Sequence, residues 1–149
     1  LIRIQEVTED QTVYAHYVLA KAAWKAGNLI ASQREFGITD KLSKGKRGAE
    51  SKYYLALISL KNKKYDKTEK LIYALSDRYP AEIYWVAKGF ILLADVYVAR
   101  GNIFQARETL KSIVANYPGN DLKQLARRKL AALPLEKATF SKKHNKQKK

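Results

Sequence analysis

Residues 49–80 and 87–118 align without a gap at an offset of 38 residues, and this internal repeat constrains the fold more than any other feature. Both segments begin with apolar residues at helical spacing, break at a polar turn, resume a second helical pattern and end at Tyr-Pro. A weaker copy lies upstream at an offset of 36 residues. Such periods are typical of helical repeat proteins, in which neighbouring units bury one another's apolar faces. The repeat therefore predicts an all-α chain of stacked helix pairs.

The third unit fits the tetratricopeptide pattern closely. Ala94 and Ala106 are small enough to let two antiparallel helices approach, and Gly101 supplies the turn between them. Pro118 ends the unit because proline cannot extend a helix. The large residues expected between the two helices are Phe90, Leu93, Tyr97 and Leu110. The pattern fixes both the helix-turn-helix form of the unit and the order of its large and small residues.

From this pattern we predict a right-handed α-solenoid of three tetratricopeptide-like helix-turn-helix repeats, at residues 13–48, 49–86 and 87–118. A capping helix is expected within residues 119–133, apolar towards the repeats and basic outside. The seven expected helices lie near 10–26, 29–38, 47–62, 65–78, 83–100, 103–116 and 120–132. Residues 134–149 are rich in lysine and poor in apolar residues, which predicts a disordered tail.

Stretches of the chain resemble the C-terminal region of large tetratricopeptide-repeat proteins of Bacteroidota. The resemblance covers roughly residues 13–130 and is most specific around Tyr84–Ala106. The similar segments are Tyr17–Gly27, Lys44–Glu50, Lys52–Ala56, Lys64–Lys67, Tyr84–Tyr97 and Phe104–Ala106. It implies a longer parent chain with more repeats, exported to the periplasm or cell envelope, with a cytoplasmic location as the alternative. It also implies no enzymatic activity and supplies no catalytic residue.

The ends of the chain suggest a piece of a longer protein. The sequence contains no Met, so we expect Leu1 to be an internal residue and any signal sequence to lie upstream. No window approaches the roughly 18 apolar residues of a membrane span. The apolar residues at the N-terminal face, around Leu1, Ile2, Ile4 and Val7, would originally pack on an upstream repeat. In isolation this face predicts self-association.

The residue inventory argues against an enzyme. There is no Cys and there are two His, so thiolate and histidine metal clusters are excluded and we predict no metal or cofactor. No Gly-rich phosphate loop occurs, because Gly45-Lys46-Arg47-Gly48 lacks the required spacing. We expect His16 to pack inside a repeat or at its rim. Catalytic residues are therefore predicted to be absent.

The first helix of each unit lines the inner groove in tetratricopeptide arrays, which gives a set of candidate partner-binding residues. We expect Lys21 and Lys61 to engage carboxylates, and the aromatic residues with Leu57 to supply apolar contact area. Several of the aromatic positions fit core packing equally well, and for Asp95 a salt bridge within the chain is the alternative. The nine candidates are Tyr17, Lys21, Trp24, Tyr53, Leu57, Lys61, Ile91, Asp95 and Val98.

The formal net charge of +15 suggests an anionic partner, but its distribution narrows the choice. The segment 134–149 carries six Lys and one Glu, and most other clusters fall at turns or on the last helix. Nucleic acid is therefore disfavoured. We predict a scaffold that binds a partly acidic protein, peptide or partner helix in its concave groove. The alternative is an electrostatic binder of nucleic acid, lipid headgroups or acidic polymers through the tail and the last helix.

Overall fold

Helices account for almost the whole of the part that the structure describes. The computed structural model describes the backbone of residues 2–135 and the side chains of residues 10–135. The helices are α1 (Ile2–Lys25), α2 (Leu29–Leu42), α3 (Lys46–Lys61), α4 (Tyr65–Arg78), α5 (Ile83–Ala99), α6 (Ile103–Asn116) and α7 (Asn120–Ala132). No strand occurs within residues 2–135. The chain is an all-α helical repeat solenoid, as the repeat predicted.

Each helix packs on the next one along the chain, and the odd-numbered helices also contact one another from α3 to α5 and from α5 to α7. Buried apolar residues fill the space between helices in three clusters. The first joins Ala20, Phe36 and Ile58, and the second is centred on α3, α4 and α5. The third joins α5 and α6 to α7 through Leu122 and Ala126. The core therefore continues from one helix pair to the next, as repeat stacking requires.

The turns inside the helix pairs need a residue with positive φ. Gly27 and Gly101 supply it in the first and third units, at φ values of +75° and +77°. The second unit has Lys63 at this place, with φ of +57°. Asn28 and Asn102 then cap the following helices, because their side-chain oxygens accept backbone N–H bonds at 3.1 and 3.2 Å.

Two predicted helix limits were wrong. α1 begins at Ile2 instead of residue 10, since residues 2–9 contain no Pro or Gly to break it. α2 continues to Leu42 instead of ending at residue 38. In its last turn the Thr39 hydroxyl donates to the Glu35 carbonyl at 2.9 Å and Asp40 is buried, so this turn packs against the core.

α7 carries Arg127 and Arg128 exposed on the side away from the buried Leu122 and Ala126. This is the division of apolar and basic faces expected for the last helix. The predicted tail lies outside the described residues from 136 onwards. The predicted N-terminal apolar residues at 1–7 also lie outside the described side chains. Among the described helices, none is long and apolar enough to cross a bilayer.

Candidate partner-binding groove

The predicted groove residues occur on the three odd-numbered helices that open the repeats. Spacings of three or four residues place most of them on one face of each helix, because such residues are neighbours along a helix. We call the surface that they and their contacts form the candidate groove. Its residues are Tyr17, Lys21 and Trp24 on α1, Tyr53, Leu57 and Lys61 on α3, and Ile91, Asp95 and Val98 on α5.

Lys21 is bound within the chain. Its Nζ donates to Glu50 Oε1 at 2.6 Å and to the Tyr54 hydroxyl at 3.3 Å, while the Tyr17 hydroxyl donates to Glu50 Oε2 at 2.8 Å. Burial disfavours the ammonium, but its hydrogen bonds to Glu50 and Tyr54 outweigh this and raise the pKa of Lys21. Glu50 is itself buried, so the pair neutralises a carboxylate that would otherwise be costly. Lys21 therefore joins α1 to α3.

Lys61 is held against an aromatic ring without an acidic partner. Its Nζ lies 5.5 Å from the centroid of the Trp24 ring, and Trp24 packs edge-on against Tyr54 at 5.1 Å between centroids. Within the described residues, no carboxylate lies within 4.0 Å of Lys61 Nζ. The ammonium is exposed, so it remains open to an anion from outside.

Lys88 is a groove cation that the spacing argument missed. Its Nζ lies 5.0, 5.6 and 5.2 Å from the ring centroids of Tyr53, Tyr84 and Trp85. As for Lys61, the described part of the chain offers it no carboxylate within 4.0 Å. The available signal was its place in helix α5, in which Asp95 is the other charged residue and a cation without a structural use is unexpected.

The aromatic residues beneath these cations form one connected group. Tyr53 and Trp85 lie 5.5 Å apart between centroids, and Tyr54 stacks on Phe36 at 4.7 Å. Burial raises the pKa of Tyr53 to about 12, because the phenolate form is disfavoured where water is excluded. Trp85 of α5 is 8% exposed and packs against Tyr53 of α3. Tyr53 is equally buried, so it offers the groove little apolar contact area.

The α5 candidates divide into three different environments. Asp95 accepts from Lys129 Nζ at 2.8 and 2.9 Å, so the salt bridge weighed as an alternative for it is formed. Val98 is 40% exposed and lies at the open end of the helix. The expectation that Ile91 lines an open surface was wrong. It is 2% exposed in the cluster shared with Leu122, because α7 packs against the side of α5 that carries it.

The charges along the candidate groove are unequal. Its carboxylates are Glu50 and Asp95, and each is already paired with a lysine. Its cations are Lys21, Arg47, Lys61, Lys88 and Lys129. An open cleft of about 750 Å³ extends from Tyr17 towards the α2–α3 turn, where Lys44, Lys46 and Arg47 line it, and its acidic lining residues are Asp10 and Glu50. The uncompensated charge of the surface is therefore positive.

His16 has a structural partner. Its Nδ1 contacts the buried carboxylate of Glu35, and this hydrogen bond lowers the pKa of Glu35 even though burial acts in the opposite direction. Among the side chains described, no group of three or more His, Cys, Asp or Glu is placed to hold a metal ion. His16 thus lies at a helix-packing position, as expected, and is bonded to α2.

Comparison with known families agrees with the helix pairs and turns described above. The family model described as tetratricopeptide repeat-like domain matches residues 14–145. No curated protein matched the chain. Since the match covers most of the sequence and the helical pairs agree with it, the chain belongs to the tetratricopeptide repeat-like domain family.

Proposed function

We propose that this domain is a non-catalytic scaffold that binds a partly acidic peptide or partner helix along the candidate groove. The family supports protein–protein interaction in general terms. The observation that carries the finer proposal is the pair of groove lysines, Lys61 and Lys88, which contact aromatic rings and have no carboxylate within 4.0 Å in the described residues. Carboxylates of the partner would supply the ion pair that each of these two lysines lacks.

Ring contacts prepare these ammonium groups for binding. A lysine resting on an aromatic face has already lost part of its rotamer freedom, so less is lost when an anion arrives. The rings beside it supply apolar contact area at low conformational cost. Lys88 has three such rings and Lys61 has one. We therefore assign the main electrostatic contact to Lys88 and a secondary one to Lys61.

The proposed role of Lys21 changes from partner contact to positioning. Its bonds to Glu50 and Tyr54 fix the rotation of α1 relative to α3. That rotation sets where Trp24 lies under Lys61. Substitution of Lys21 should weaken binding through loss of stability, whereas reversal of Lys88 should weaken binding and leave the fold intact.

A peptide library displayed on phage and selected on the purified chain tests this proposal. Selected peptides should be enriched in Asp and Glu beside apolar or aromatic residues, and Lys61→Glu and Lys88→Glu should each weaken them roughly tenfold. Lys70→Glu is the matched control, because Lys70 is exposed on α4 away from the groove residues. Selection of peptides without acidic residues, or equal binding to all three variants, would contradict the proposal.

A second candidate function rests on Arg127 and Arg128. Both are exposed on α7, and neither has an acidic partner within the described residues. Together with the lysines of residues 134–149 they could bind anionic lipid headgroups, nucleic acid or acidic polymers. This second function would be supported if the chain bound many unrelated anions, with an affinity that falls steeply with salt and is lost when residues 134–149 are deleted. Binding of one saturable partner that survives this deletion favours the groove.

A further inference from the structure

The open cleft beside Tyr17 continues the candidate groove and contains cations that the proposed function does not use. Its volume is about 750 Å³, and it extends to the α2–α3 turn. We call it the Arg47 cleft. Three cations and two apolar side chains contribute to its lining: Lys44, Lys46, Arg47, Val13 and Leu42.

Two aromatic rings of α1 limit the position of Arg47 in this cleft. The Arg47 Cζ lies 4.9 Å from the ring centroid of Tyr14 and 5.7 Å from that of Tyr17. In the part of the chain that the structure describes, the guanidinium has no carboxylate within 4.0 Å. Arg47 therefore has the same two properties as Lys61 and Lys88, because each is a cation that rests on aromatic rings without an ion pair among the described residues.

The two acidic residues of the cleft differ in how far they reduce its positive charge. Glu50 accepts from Lys21 Nζ at 2.6 Å and from the Tyr17 hydroxyl at 2.8 Å, so Lys21 already neutralises its carboxylate. Asp10 is exposed and forms no ion pair within the described residues. Three cations therefore share the cleft with one uncompensated carboxylate, and the remaining positive charge favours an anionic group from outside.

We propose that the Arg47 cleft binds a second acidic side chain of the same partner, next to an apolar residue that packs on Val13 and the half-exposed Leu42. This inference rests on the proposed function, because Tyr17 belongs to both the cleft and the candidate groove. The Arg47 guanidinium is the main contact, since its planar N–H groups can donate to both oxygens of one carboxylate. Lys44 and Lys46 add positive charge beside it.

The positions of Arg47 and Lys88 predict how the acids of the partner are spaced. Lys88 rests on Tyr53, which lies six residues after Arg47 on α3 and hence about 9 Å further along the helix axis. Arg47 contacts rings of α1 and Lys88 belongs to α5, so the two cations lie on different sides of α3, where neighbouring helix axes are about 9 Å apart. Their separation is thus roughly 13 Å, which corresponds to about four residues of an extended peptide or about eight of a helix.

Phage selection on variants of the chain tests whether the cleft binds a separate acid. Peptides selected on the unmodified chain should carry at least two acidic residues at this spacing. Selection on Arg47→Glu should lose one of these acidic positions, and selection on Lys88→Glu should lose the other. If Arg47→Glu selects peptides with every acidic position retained, or loses the same position as Lys88→Glu, this inference is overturned and the proposed function stands. Peptides without acids on the unmodified chain would overturn both.

Calorimetry with one selected peptide separates the guanidinium contact from general charge. Arg47→Glu should weaken binding roughly tenfold, and Arg47→Lys about threefold, because the ammonium keeps the charge but cannot bond both carboxylate oxygens in the same way. Asp10→Asn should strengthen binding about threefold, since it removes the carboxylate that repels the acid of the partner. Glu108→Gln is the control for the loss of an acid, because Glu108 is exposed on α6, and it should leave the affinity unchanged.

The same measurements state what would contradict the cleft. Unchanged affinity in Arg47→Glu, with helical circular dichroism equal to that of the unmodified chain, overturns the inference. Weaker binding in Asp10→Asn also overturns it, and this variant keeps the test valid if Arg47→Glu does not fold. Equal affinity of Arg47→Lys and the unmodified chain would overturn the contact to both carboxylate oxygens.

Discussion

The Tyr79 hydroxyl donates to Asp40 Oδ1 at 2.7 Å and joins the end of the second repeat to the end of α2. The Asp40 and Ser43 carbonyl oxygens lie within 3.1 and 3.2 Å of the same hydroxyl. Asp40 is buried and also accepts from Lys52 Nζ at 3.0 Å. One tyrosine of the Tyr-Pro signature therefore determines how the first two units stack.

Tyr79→Phe should destabilise the protein by about 1–2 kcal/mol, because a buried carboxylate loses a hydrogen-bond donor while the ring still fills its space. Urea unfolding followed by circular dichroism measures this. Tyr65→Phe is the control, since no hydrogen-bond partner is described for the Tyr65 hydroxyl, and its unfolding midpoint should not change. Equal destabilisation of the two variants would show that loss of any tyrosine hydroxyl lowers stability, and that the hydrogen bond from Tyr79 to Asp40 makes no specific contribution.

Gly48→Ala should be strongly destabilising for a steric reason. A Cβ at Gly48 would lie 2.8 Å from Cζ of Tyr79, whose ring cannot retreat while its hydroxyl is bonded to Asp40. We expect a loss of about 1–3 kcal/mol. Gly37→Ala is the matched control within a helix, because nothing lies within 4 Å of its Cβ position, and it should stabilise by about 0.5–1 kcal/mol. A thermal melt in which both variants gain stability would contradict this packing.

Lys63→Gly should stabilise the chain. Lys63 adopts φ of +57°, a conformation that the Cβ of an ordinary residue disfavours, and its equivalents Gly27 and Gly101 avoid this strain. The expected gain is about 1 kcal/mol in urea unfolding. Lys64→Gly removes the neighbouring charge at negative φ and should give no gain. If both variants were stabilised equally, relief of charge repulsion and not backbone strain would be the cause.

Stability should fall as the solution is made alkaline. Burial raises the pKa of Tyr53 and, together with a hydrogen bond that the Tyr97 hydroxyl donates to Tyr73, that of Tyr97, each to about 12 from 10.0. Between these values the folded state retains protons that the unfolded state has lost, so the free energy of unfolding decreases with rising pH. Below pH 10 the Tyr53 and Tyr97 hydroxyls do not affect the free energy of unfolding. Unfolding curves across this range check the effect.

Tyr53→Phe removes one of these groups and should flatten the alkaline loss. Tyr14→Phe is the control for the loss of a tyrosine hydroxyl at a half-exposed position. A slope identical to that of the unmodified protein in Tyr53→Phe would show that the Tyr53 phenol does not contribute.

At acidic pH the free energy of unfolding should change in the opposite direction, so that it decreases as the pH falls. The hydrogen bond from His16 is the main cause that lowers the pKa of Glu35 below its ordinary 4.5, although burial raises it. The stabilisation of the folded state by ionised Glu35 is therefore complete above pH 4.5. It is lost as the pH falls through the lower pKa that Glu35 has in the folded state. Glu35→Gln should remove this part of the acid dependence, as measured by unfolding at pH 3 to 6. An unchanged acid midpoint would contradict the assignment to Glu35.

The sequence predicted what depends on spacing along one helix. Helix pairs, the glycine turns and the apolar face of α7 follow from residue type and period, because a single helix determines its own faces. The burial of Ile91 could not be predicted this way, since it depends on where α7 docks. Nor could the Lys21–Glu50 bond or the three rings around Lys88, which depend on the relative rotation of two helices. Residue spacing therefore predicts which helix faces form the surface, but it does not predict the contacts between helices that bury some of these residues and leave others exposed.

A charge-swap cycle at Lys88 tests the central claim most directly. A selected acidic peptide is measured by calorimetry against the unmodified chain and Lys88→Glu, and each is measured again with one peptide acid changed to Lys. If Lys88 contacts a partner carboxylate, each single change should weaken binding roughly tenfold and the combination with the matching peptide position should restore most of it. Additive losses at every peptide position would show that Lys88 does not contact the partner and would contradict the proposed groove.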